Sequence, residues 1–209
     1  ARRILVPFLI GMVSIVPLHV LIWQHYYNQD MQYRIQPAHL WFLANLVIYV
    51  VLLAPLFFYL KNNAHRKWIQ KLHHLLGHGW VFPVVMLAFV LEVLLVKPDL
   101  FELYAMTVHG FILGLLSFLF GFLIMLNPTF WVTLRKWLPL YAVLALTLFS
   151  IRYFGFKTQA PGYLVAMEST SWIFTVFGMA NRFFNKPGKA LRYLSQAAYP
   201  IYIIHMVMM

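Results

Sequence analysis

Six ionisable side chains stand inside, or at the edges of, long apolar runs: His19, His39, Glu92, His109, Arg152 and Glu168. A histidine titrating near neutrality can take a proton from a hydroxyl, and a carboxylate can orient it or hold the proton. An ionisable group in hydrocarbon is costly, so each is a functional candidate by default. His39, Glu92, His109 and Glu168 are the candidate catalytic residues. Together the six could line one polar cavity open to the outer side. The alternative is that each meets the headgroup layer separately, its apolar stem in lipid and its polar end in water.

A second constellation is His74-Leu75-Leu76-Gly77-His78, with His65 and His73 close by. Histidines at i and i+4 share a helix face and can share a metal. Membrane di-iron enzymes use several such boxes with adjacent paired histidines, whereas the remaining histidines here are solitary. The segment reads as a solvated basic surface helix, and no metal is expected. The sequence contains no phosphate-cradling glycine-rich loop, no nucleophile elbow and no zinc-protease motif.

The elements that must position these groups are apolar and long. Hydrophobic residues make up 63% of the 209 and charged residues 10%, with a mean hydropathy of +0.76. A soluble domain of this length carries about a quarter charged residues, so the chain is expected to be integral to a membrane. Its runs are too long and unbroken for strands of a transmembrane barrel. The spacing predicts spans at Ile4–Trp23, Leu40–Leu60, Trp80–Val96, Glu102–Leu126, Leu138–Ile151 and Tyr163–Phe184, with a last, truncated one from Tyr199. The fold class is therefore all-α, a polytopic transmembrane helix bundle of about seven spans. Residues 1–209 form a single integral-membrane domain, expected to be a fragment incomplete at both ends. Within it, residues 61–79 form a basic amphipathic segment with Trp68, Ile69, Leu72, Leu75 and Leu76 at helical spacing.

Twelve of the sixteen Lys and Arg fall in the amino end and in the second, fourth and sixth loops. They are Arg2 and Arg3; Lys61, Arg66, Lys67 and Lys71; Arg135 and Lys136; Arg182, Lys186, Lys189 and Arg192. This bias predicts that these segments, residues 61–79 included, face the cytoplasm. The formal charge of +11 is spread among the loops rather than gathered in one patch, so no nucleic-acid partner is expected. Arg2 and Arg3 could hold anionic lipid headgroups or the phosphates of a nucleotide-like cofactor.

Three segments, in order, are similar to the membrane-bound acyltransferase 3 family, which includes O-acetyltransferases of bacterial cell-surface polysaccharides. Arg2 to Met12 resembles the family's paired arginines followed by an apolar run with Pro and Gly. Ala38 to Leu43 resembles its "HLWFL" helix entry, and Leu191 to His205 its closing "YLSxASYPxYxxH" segment. The resemblance implies an O-acyltransferase of the bacterial inner (plasma) membrane. Such an enzyme would move an acyl group, acetyl above all, from cytoplasmic acyl-CoA to an extracytoplasmic glycan or similar hydroxyl acceptor. It implies acyl-CoA (acetyl-CoA) as donor, with Arg2 and Arg3 on the CoA phosphates. The family's catalytic arginine–histidine pair lies in its first helix, so it is expected upstream of residue 1. Membrane lipids and further membrane proteins are the other expected partners. Two other classes remain open: a non-catalytic accessory or scaffold subunit of a larger complex, and a transporter or flippase using the same outer cavity.

Overall fold

In hydrocarbon a backbone N–H has no water to bond, and the helix is the fold that pairs it within its own run. The computed structural model describes residues 6, 8–28, 40–125, 127–156, 160–185 and 188–204, and every regular element among them is a helix. In chain order these are α1 (Phe8–Tyr26), α2 (Trp41–Asn62), α3 (Lys67–Leu76), α4 (Val81–Val96), α5 (Val108–Met125), α6 (Pro128–Ser150), α7 (Gly162–Met179) and α8 (Lys189–Ile204). Wide π-type turns lie in α1 at Gly11–Ile15, after α6 at Ile151–Phe156, and after α7 at Ala180–Phe184.

Helices α1, α2, α5, and α6 with its extension through Phe156, are each long and apolar enough to cross a membrane. Helices α3 and α4 meet the same test only as a pair, bent by 91°, so that candidate spans among the described residues number four, or five if the pair is one span. The chain is thus an integral membrane protein built from helices, while the expected count of seven spans is not confirmed. Two physical reasons account for the difference. Helix α4 has only 16 residues, short of the ~20 that cross a bilayer upright. Helix α7 carries Glu168, Thr170, Ser171 and Thr175, all buried, so protein rather than lipid surrounds its polar stripe.

The chain divides into two compact units, Leu53–Asn185 and Ala1–Leu52 with Lys186–Met209. The second of these contains α1, the first half of α2 and α8, with Phe42 and Tyr202 edge to face at 6.3 Å. The first contains the described site. Its centre is α7, packed along α6 on one side and α4 on the other, with α5 against α4. Phe82, Tyr141 and Phe174 bring their rings within 4.6–5.5 Å of one another where the three helices meet. Gly162 and Gly178 let α7 approach closely, since a Cβ at either would lie under 3 Å from Val93 or Leu138.

Three helix starts differ from the predicted ones; one is α8, which begins at Lys189 rather than Tyr199. Helix α6 begins at Pro128, ten residues before the predicted Leu138, because Asn127 caps it by accepting a hydrogen bond from Thr129 N–H at 3.0 Å. Proline in its first turn has no N–H to lose. Arg135 and Lys136 therefore stand exposed on the helix instead of preceding it. Helix α5 begins at Val108 rather than Glu102, because the Thr107 hydroxyl accepts from Gly110 N–H at 3.0 Å and sets the cap.

The expected basic surface helix is α3, lying across the axis of α4. It buries Ile69 and Leu76 and leaves Lys67 and Lys71 exposed. Its carboxyl end is fastened to α6: Asn127 Nδ2 donates to the His73 carbonyl, and Thr133 Oγ1 to that of Gly77 at 2.6 Å. Gly77 has no space for a side chain, since a Cβ would lie 2.9 Å from Asn127.

Candidate functional site: buried ion pairs opposite a basic groove

Helix α4 ends where Lys97 adopts the left-handed conformation and Pro98 forbids continuation. The connection 97–107 then folds back over the helix ends. Glu92, one turn before that end, is buried, and so is His109 at the start of α5. Nδ1 of His109 meets the two Glu92 oxygens at 3.0 and 2.9 Å, and Nε2 meets the Phe101 carbonyl at 3.1 Å. The ring lies between Phe101 and Tyr104, with centroids at 5.1 and 5.5 Å. A carbonyl only accepts, so Nε2 carries a hydrogen; Nδ1 and the carboxylate hold one proton between them. The pair is electrically neutral as a unit, and both ring nitrogens are engaged.

The second pair joins α7 to the wide turn after α6. Arg152 donates to Glu168 through Nε at 2.5 Å and Nη2 at 3.0 Å, a two-pronged bond that suits the planar guanidinium. The turn matters because Arg152 is its second residue, and the extra residue per turn shifts the side chain's direction. Glu168 is buried, while the Arg152 side chain is 29% exposed. Glu102 lies within electrostatic reach of both Arg152 and Tyr104, so the two pairs share one neighbourhood. Burial, and then the carboxylates of Glu102 and Glu92, push the Tyr104 phenol up to about 12, so it remains a hydrogen-bond donor at neutral pH.

Of the predicted catalytic residues, the structure thus brings Glu92 and His109 together and gives Glu168 a separate partner. His39 lies outside the described residues, as do Arg2 and Arg3. Neither a shared wet cavity nor separate contacts with headgroups describes the three that are placed; they are buried in protein as ion pairs. Sequence reasoning grouped Arg152 with them but missed its bond to Glu168, and it missed Glu102, Tyr104 and Thr107 as parts of the same cluster. The signal available was the density of Thr, Tyr and Glu around Lys97-Pro98-Asp99, which reads as a turn alone. No group of three or more potential metal ligands occurs among the described residues.

A groove of about 600 Å³ lies at the other end of the same unit, in the corner between the α3–α4 connection, α4 and α6. His78, Trp80, Lys136, Trp137 and Tyr141 line it. Lys136 and Arg152 are sixteen residues apart on one continuous helix, about 24 Å at 1.5 Å per residue. One end of the unit is therefore basic and the other holds the carboxylates, with most of a hydrocarbon thickness between.

No curated protein and no solved structure matches this chain. A family model described as an acyltransferase domain matches residues 1–209, both units included. The chain belongs to the acyltransferase 3 family.

Proposed function

We propose that the chain is a membrane O-acyltransferase that takes an acyl group, acetyl in the simplest case, from acyl-CoA at a cytoplasmic basic end. It delivers that group to a hydroxyl of an extracytoplasmic glycan at the end that holds the carboxylates. The reading rests on family membership, and the observation that carries it beyond the family is the polarity of residues 53–185. Lys and Arg stand at one end of α6, and Glu92, Glu102, Glu168, His109 and Arg152 gather near the other. A donor bearing phosphates and an acceptor bearing hydroxyls suit those ends respectively. Arg2 and Arg3 hold the CoA phosphates in this scheme, each charge-assisted bond worth about 1.5–3 kcal/mol.

His109 has no free lone pair, so it does not take the acceptor's proton while it bonds Glu92 and Phe101. With Glu92 it acts as a positioning residue, holding the connection 97–107 over the ends of α4 and α5. His39 remains the candidate base. The bacterial inner membrane is the compartment in which cytoplasmic acyl-CoA and an outer glycan are separated by one bilayer. The engaged His109 also favours a second reading, a non-catalytic subunit that retains the family's helices.

The test is reconstitution of the full chain in sealed proteoliposomes, with radiolabelled acetyl-CoA on one side and a hydroxyl-rich glycan on the other. Label on the glycan, with release of free CoA on the donor side, is the expected result. No transfer, in a preparation that still binds acetyl-CoA, would leave the accessory-subunit reading in its place.

A further inference from the structure

We propose that the groove between the α3–α4 connection, α4 and α6 is a site for an anionic phospholipid. Its phosphate would lie between Lys136 and His78, and its acyl chains would run down from Trp80 and Leu140. Charge is the first observation. The sequence has five acidic residues, Asp30, Glu92, Asp99, Glu102 and Glu168, and none lies in α3, in the corner or in the first half of α6. Among the described residues both ion pairs are at the opposite end of the unit. Lys136 therefore has no carboxylate partner there; it rests 5.7 Å from the ring of Trp137. Lys136 is exposed and free to take an anion, and the nearest abundant anion for a basic face at a membrane surface is a lipid phosphate.

The second observation is that the walls are preformed. Helix α3 is fastened to α6 at His73 and Gly77, and the His78 ring is fixed by Nδ1 donating to the His74 carbonyl at 2.6 Å. That leaves the other ring nitrogen of a groove-lining residue with no hydrogen-bond partner among the described residues, free to meet a ligand. The third is the apolar surface that continues from the groove. Trp80 is 69% exposed, and Val84 and Leu87 follow it down α4; Leu140 and Val143 do the same on α6. Two exposed apolar strips, one on each helix, leading away from one cationic notch fit a lipid with two chains, whereas acyl-CoA carries a single tail behind a polar linker. The indoles of Trp80 and Trp137 suit the headgroup level. The site does not depend on the acyltransferase reading.

The experiment is native mass spectrometry of the full chain after exchange from nanodiscs containing phosphatidylcholine and phosphatidylglycerol in equal amounts. The chain should retain phosphatidylglycerol preferentially. Lys136→Gln should lower that retention about fivefold, as expected for one cation at a membrane surface, and Lys136→Arg should restore it. Lys71→Gln removes the same charge from exposed α3 outside the groove and should leave retention nearly unchanged. Lys136 is exposed, so these variants keep the fold, and unchanged melting temperatures check this. Equal retention of the two lipids, or equal losses in the Lys136 and Lys71 variants, would overturn the proposal. So would displacement of the bound lipid by micromolar acetyl-CoA, which would give the groove to the donor.

Discussion

Glu92 presents both carboxylate oxygens to one nitrogen of His109, and the other nitrogen is held by the Phe101 carbonyl at 3.1 Å. The two residues come from different helices, seventeen positions apart, and both are almost entirely excluded from solvent. Desolvating them has consumed much of their attraction, so the pair's value lies in what happens when half of it is removed.

His109→Ala leaves Glu92 buried without a partner and should lower stability by about 3–5 kcal/mol, read as a large drop in melting temperature in detergent. Glu92→Gln leaves a neutral His109 whose Nδ1 accepts from the glutamine amide while Nε2–H still donates to Phe101, and should lower it by only about 1 kcal/mol. Replacing both with leucine removes the stranded charge and should come closer to the wild-type value than His109→Ala does. If the double variant is the least stable of the three, the pair contributes net attraction rather than mutual neutralisation.

Much of this was legible in the residues, and the exceptions share a cause. The apolar runs, the amphipathic α3 and the basic loops follow from hydropathy and spacing alone, because hydrocarbon imposes both. Glu92, His109 and Glu168 stood out for the same reason, as polar groups where lipid tolerates few. Their partners did not, because pairing depends on where α4, α5, α6 and α7 meet, and helical periodicity says nothing of that. Arg152 reaches Glu168 through a wide turn that no sequence pattern marks. Asn127-Pro128 did announce the start of α6, but Arg135-Lys136 drew the boundary inward, since a charged pair reads as a loop unless its helix is already known to lie at the interface.

Arg152 and Glu168 form a fork that lysine cannot reproduce. Arg152→Lys should retain the charge and lose one of the two bonds, lowering stability by about 1–2 kcal/mol. Arg152→Met strands a buried carboxylate and should cost more, up to about 3 kcal/mol given that the arginine is partly solvated. Melting curves of the two variants side by side decide it; equal losses would mean that charge alone, and not the planar geometry, matters here.

Gly110 and Gly121 both lie in α5, yet substitution should affect them oppositely. A Cβ on Gly110 would sit 1.9 Å from the Tyr104 carbonyl oxygen, a backbone atom held in the turn before the helix. Gly110→Ala should displace that turn, disturb the bond from His109 to Phe101 and lower stability by about 1–3 kcal/mol. Nothing lies within 4 Å of the corresponding position on Gly121. Gly121→Ala should be neutral or stabilising by up to about 1 kcal/mol, as alanine loses less entropy in a helix. A stabilising Gly110→Ala would show that the connection 97–107 does not pack as described.

The direction in which unit Leu53–Asn185 crosses the bilayer is the prediction on which the proposed chemistry depends. Cytoplasmic acyl-CoA can reach only the basic end if that end faces inward, as the distribution of Lys and Arg implies. The chain contains no cysteine, so a single introduced thiol reads without background. Gln70 on α3 and Asp99 in the turn after α4 are both exposed, which allows labelling without disturbing the core. In intact cells, Asp99→Cys should react with a membrane-impermeant maleimide and Gln70→Cys should not. After permeabilisation both should react. With the basic end inward, the pairs Glu92–His109 and Arg152–Glu168 at the other end of the unit fall towards the outer face. Labelling of Gln70→Cys from outside would place the cations away from the donor, and the transfer proposed here would then run against the topology of the chain.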